Sequence, residues 1–203
     1  MSNHAKRFDD VIAAIDDANA RDPKIVETDG AVPAELSYGR RMSDALRLMA
    51  PNASELLRIA VRGQHIERWT SPRTSYWPGR AGYLKWRNDL KEFHARRLGE
   101  IMTAAGYEPH DAARVGALVR KERLRSDPEA QMLEDVACIV FLTHYLADFM
   151  GKTDEAKLAR ILAQTWNKMS VQGRAHANKL DLPPSVLALL ERGLKQAREG
   201  TNS

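Results

Sequence analysis

Apolar residues recur at spacings of three and four along almost the whole of this chain, and that period decides what it can become. Such spacing places side chains on one face of an α-helix, whereas a half-buried strand needs strict alternation. Phe8, Val11, Ile12 and Ile15 mark a first helix over about 8–20. Leu36, Met42, Leu46 and Met49 mark a second, which stops near Pro51. Asn52 or Ser54 can cap a third, whose inner stripe reads Leu57, Val61 and His65. A long helix over about 81–105 carries Tyr83, Trp86, Leu90, His94, Leu98, Ile101 and Met102. Pro109 and Asp111 open the next, with Val115, Leu118, Val119 and Glu122 along its stripe. Pro128 opens the most apolar helix, through Met132, Val136, Ile139, Val140, Tyr145 and Phe149, and Gly151 ends it. Thr153 caps a helix bearing Leu158, Ile161, Leu162 and Trp166, and a last helix follows Pro183-Pro184. No stretch alternates like a strand. The expectation is an all-α bundle of about seven to nine helices.

With 203 residues and 43% hydrophobic side chains, the chain can bury one sizeable core. A single helical domain is expected, with its core over about 8–167 and a helical appendage over about 168–198. The only cysteine, Cys138, lies among Val136, Ala137, Ile139 and Val140, which suits a small core residue in a reducing compartment. The N-terminus lacks the apolar run of a signal peptide, and the longest apolar run, Val136 to Leu142, is too short to span a bilayer. A cytoplasmic protein with no membrane partner is expected. Between Arg62 and Arg125 there are fourteen Lys or Arg against seven Asp or Glu, so the basic charge is concentrated in the middle of the chain. A basic middle suits a small anionic, phosphate-containing ligand, although it also describes a solvated helix surface. No helix-turn-helix, zinc or single-strand-binding pattern accompanies it, so a nucleic-acid partner is not expected.

Four polar residues sit on apolar stripes. His65 is four residues from Val61, His94 lies between Leu90 and Leu98, and Glu122 follows Leu118 and Val119. Asp135 sits one turn from Met132 and Ile139 in the most apolar helix. Isolated buried carboxylates cost several kcal/mol. One shared centre, either a divalent metal or a hydrogen-bonded cluster, would settle all four, although each can also be a satisfied core residue. Trp69 to Arg80, W-T-S-P-R-T-S-Y-W-P-G-R, reads as a loop that gathers aromatic rings and arginines.

The order His65, His94, Glu122, Asp135 on successive helices resembles the HD superfamily of metal-dependent phosphohydrolases. Y-G-R-R-M-S (Tyr38 to Ser43), R-G-Q-H-I-E-R-W (Arg62 to Trp69) and L-E-D-V-A-C-I-V-F-L (from Leu133) are similar more specifically to the family of unknown function numbered 4202. The HD resemblance implies His65, His94 and Asp135 as ligands of a divalent metal: manganese, iron, zinc or magnesium. It implies Glu122 and Glu67 as acid-base residues, with Arg40, Arg41, Arg68, Arg120, Lys121, Trp69 and Tyr38 around the substrate. The chain departs from that pattern. Ile66 follows His65 where the diagnostic pair has aspartate, and Tyr38 stands near the place of the first histidine. Two functions follow as expectations: a metal-dependent hydrolase of a phosphate ester or nucleotide, or a non-catalytic nucleotide- or anion-binding module with a degenerate site.

Overall fold

The computed structural model describes residues 3–199, and these are mostly helical. The helices are α1 (Asn3–Asn19), α2 (Ala34–Met49), α3 (Glu55–Arg62), α4 (Gly79–Ala104), α5 (Pro109–Arg120), α6 (Pro128–Val140), α7 (Leu146–Met150), α8 (Glu155–Lys168), α9 (Val171–Ala177) and α10 (Pro184–Glu199). The protein is all-α. The described residues divide at Leu133/Glu134 into two compact units, a partition that falls inside α6.

In the first unit, α3 and α4 pack on α5, and α1 and α2 pack on α3. Val11, Ile15, Met42, Ile59, Leu98, Met102 and Leu118 are fully inaccessible and form its core. Ser54 caps α3, its hydroxyl accepting from the Leu57 amide at 3.1 Å. In the second unit α10 packs along α8, with Leu158, Leu162 and Val186 buried.

Four local features depart from the periodicity. Ile25–Val26 and Val32–Pro33 form a two-stranded antiparallel hairpin. Two residues per strand are too few to show an alternation. The most apolar helix is interrupted by a wide, π-type turn over Phe141–Tyr145, which separates α7 from α6. Asp154, not Thr153, caps α8, accepting from the Lys157 amide at 2.9 Å. The small, polar segment over 171–177 forms α9.

Two expected stripes end early. α3 stops at Arg62 and is capped by Gly63, so His65 lies in the turn beyond it. A Cβ on Gly63 would meet a Leu98 methyl at 2.3 Å, so any side chain here would have to displace Leu98 for the turn to close onto α4. Helix α5 stops at Arg120, because Lys121 turns to the left-handed conformation (φ 59°). The polar tail beyond Glu199 lies outside the described residues. Among the described residues no helix is long and apolar enough to cross a membrane.

Candidate functional site

The first unit brings two of the expected histidines side by side, their ring centroids 6.0 Å apart, and three tethers hold the turn that carries His65. Arg62 makes a two-point ion pair with Asp16, at 2.7 and 2.6 Å. The Glu67 amide donates to Asn19 Oδ1 at 2.9 Å. The Glu67 carboxylate pairs with Arg97 at 2.8 Å, which places Glu67 in the scaffold of the turn.

His94, on α4, is only 3% exposed. Its Nδ1 lies 2.8 Å from the Ile66 carbonyl. A carbonyl oxygen can only accept, so Nδ1 carries the proton. Burial, with His65 beside it, holds the His94 pKa down to about 3, so the ring is neutral at pH 7. Nε2 is therefore a bare lone pair, buried and without a hydrogen-bond partner among the described residues. It calls for a donor or a cation.

His65 lies with its ring centroid 6.0 Å from that of His94, and Tyr38 of α2 stacks on its other side at 4.2 Å and 11°. The Tyr38 hydroxyl donates to Gln64 Oε1 at 3.2 Å. The His65 side chain keeps 28% of its surface open, yet dense surrounding protein holds its pKa well below the usual value. Desolvation is the first cause, followed by the positive charges of Arg68, Lys121 and Arg87.

The structure adds a residue that the sequence reading missed. Glu35 of α2 brings Oε2 to 3.6 Å from His65 Nδ1, too long for a hydrogen bond. Burial raises its pKa to about 6, against the opposing pull of Arg68, His94 and Lys24. Its position three residues before Tyr38 was the available signal, since that spacing shares a helix face. Gln64 and Arg87 were missed as well.

Two residues at the site, Glu67 and Lys121, hold a strained backbone. Glu67 (φ 51°), Lys121 (φ 59°) and Arg123 (φ 52°) are non-glycine residues in the left-handed region, and the only other one described is Ala31. Such positions cost of order 1 kcal/mol each and persist where the surroundings impose them. Here the loop after α5 is fixed by Arg114, which bonds Asp127 and, at 2.5 Å, Glu129.

The remaining expected residues stand elsewhere or serve otherwise. The turn at Lys121 swings Glu122 outward, where it is 52% exposed and paired with Arg120 at 2.6 Å, rather than facing the core as its spacing suggested. Arg40 is exposed on α2, Arg41 donates to Thr28 at 3.0 Å, and Trp69 is half-buried in the turn Arg68–Thr70. Asp135 belongs to the second unit. Its carboxylate accepts from the Ser170 amide at 2.8 Å and the Ser170 hydroxyl at 2.5 Å, and that hydroxyl accepts from the Gly173 amide at 3.0 Å. Its buried charge is thereby matched at the start of α9.

Among the described residues no group of three or more His, Cys, Asp or Glu side chains gathers as a metal would require. His65, His94 and Glu35 are three potential donors, but they do not converge on one point as the three or four ligands of a typical transition-metal centre do. The donor set therefore does not fit the metal that the HD resemblance implies.

Fold and site together define an all-α protein with a neutral histidine pair beside a carboxyl group of raised pKa, under the influence of several cations. Residues 9–190 match the family described as a domain of unknown function, DUF4202, and the chain belongs to that family. No curated protein and no solved structure matches the chain.

Proposed function

We propose that the protein is a binding module of HD-like architecture whose degenerate site holds a small phosphate-containing anion, such as a nucleotide. The observation that carries this reading is the buried, unpartnered Nε2 of His94 beside cations that already depress His65. Positive charge concentrated beside a largely buried histidine pair favours an anion. A lone pair at the bottom favours a ligand that also brings an O–H or N–H donor. A protonated phosphate oxygen or a nucleotide supplies both.

Arg68 offers planar two-point contact to phosphate oxygens, with Lys121 and Arg87 as supporting charges. The Tyr38–His65 stack provides a flat wall beside it. Tyr38 stands against His65 near the place where the HD pattern has its first histidine, which supports a degenerate HD arrangement. A cytoplasmic setting suits the buried Cys138, the one cysteine of the sequence.

The hydrolase reading keeps one observation in its favour, because a histidine whose Nδ1–H is fixed by a carbonyl presents Nε2 as a metal ligand does. Calorimetric titration with inorganic phosphate, adenosine monophosphate, zinc and manganese separates the two. The binding reading expects saturable phosphate and nucleotide binding that weakens on the order of tenfold in Arg68→Gln. Tight metal binding with no affinity for either phosphate compound would overturn it.

A further inference from the structure

The segment from Arg68 to Lys91 carries six Lys or Arg residues against a single carboxylate, Asp89, and includes five aromatic residues. The structure shows what composition could not, namely that part of this aromatic surface faces solvent. Trp77 is 57% and Tyr83 43% exposed, with Leu84 exposed beside them. Of residues 79–89, the first three turns of α4, only Gly82 is buried.

This surface is held rigid. Arg73 donates to the carbonyls of Tyr76, Trp77 and Gly79 at 3.0, 3.0 and 3.2 Å, closing the loop around its guanidinium. The Trp86 indole donates to the Ser71 carbonyl at 2.8 Å, and the Tyr76 hydroxyl to Asp89 at 3.0 Å. A Cβ on Gly82 would lie 2.0 Å from the Trp77 carbonyl oxygen, so the loop is seated directly on the helix backbone. Guanidinium groups already stack on two rings, Arg68 over Trp86 at 4.9 Å and Arg87 over Tyr83 at 5.8 Å. The lone carboxylate is covered by Lys85 at 2.9 Å.

We propose that this face docks single-stranded nucleic acid, with bases stacking on Trp77 and Tyr83 and the phosphodiester backbone running along Arg80, Lys85 and Arg87. Fixed aromatic platforms within a cationic strip are how sequence-tolerant single-strand binding works, bases stacking on the rings while cations follow the backbone. A lipid surface fits less well. Membrane-surface helices present one continuous apolar face, and here Tyr83 and Leu84 are adjacent residues with arginine and lysine interspersed. The proposal goes beyond the phosphate-binding recess and stands without it.

The test is fluorescence anisotropy of the full chain with a labelled oligothymidylate across a salt series. The same strand in duplex form and phosphatidylserine vesicles serve as competitors. Single-strand binding that falls steeply with salt is expected. Trp77→Ala with Tyr83→Ala should weaken it on the order of tenfold at fixed salt. Arg80→Gln with Lys85→Gln should lower the salt slope by about one to two. Substituting the exposed cations Arg160→Gln and Lys179→Gln should shift affinity by less than about twofold. Absence of single-strand binding at low salt, an equal loss in the Arg160/Lys179 pair, preference for duplex, or displacement by vesicles rather than by strand would each overturn it.

Discussion

Three side chains set the chemistry of the recess, and their protonation states oppose their charges. Two histidines are kept neutral where a charge would repel Arg68, and Glu35 is pushed to about 6, so it protonates just below neutrality. Binding of an anion raises both histidine pKa values, and protonating Glu35 removes a competing negative charge. The signs agree, so phosphate should bind more tightly as pH falls from 7.5 to 5.5, by up to about tenfold per proton taken up per pH unit. Glu35→Gln should tighten phosphate binding at pH 7.5 and flatten that dependence, as calorimetry at the two pH values would record. An unchanged slope in the variant would remove Glu35 from the site. Legibility at this scale was partial. His94 was readable because Leu90 and Leu98 bracket it at helical spacing. Glu35 was not, since a carboxylate in the first turn of a helix looks like an ordinary dipole partner.

Element boundaries explain where the sequence misled. The spacing Leu57, Val61, His65 continues past the true end of α3, because a four-residue interval cannot tell a helix from a helix followed by a tight turn. Gly63 was the signal, and its meaning depends on Leu98, far away in the chain. Glu122 was misplaced for the same reason, since nothing about a lysine announces the left-handed turn at Lys121. Asp135 was correctly legible as buried, but its partner Ser170 lies 35 residues on. The segment V-Q-G-R-A-H-A is too short and too polar for periodicity to reveal α9. That turn at Lys121 also yields a prediction. Lys121→Gly relieves a strained φ and should stabilise the fold by about 1 kcal/mol, while phosphate affinity drops with the lost charge. Urea denaturation and calorimetry on the same variant check both halves. Reduced stability would show that the side chain matters more to the fold than the strain does.

Taken as a molecule, the protein accepts internal cost where function needs it, and its pH response should reveal that. His94, lowered to about 3 from 6.5, and His65, also lowered, bind protons more readily once unfolded. Their stabilising contribution is full above pH 6.5 and is lost as pH falls toward the folded values. Glu35 acts in the opposite sense, its contribution growing from pH 6 down to 4.5 because the folded state takes up that proton first. Over that range the Glu35 proton offsets part of the loss from His94, and His65 adds to the loss in the same direction as His94. Unfolding free energy should therefore be lower at pH 5 than at pH 7, and His94→Gln should reduce that difference. Equal stability at the two pH values would mean that the histidines are not buried neutral. The most direct test of the recess itself is a nitrogen-15 long-range spectrum of the His94 ring at pH 7, followed through a titration with inorganic phosphate. The account predicts a neutral ring protonated at Nδ1, whose Nε2 signal shifts saturably with phosphate in the native protein and stays fixed in Arg68→Gln. A ring already charged at pH 7, or an Nε2 signal that ignores phosphate throughout, would contradict it.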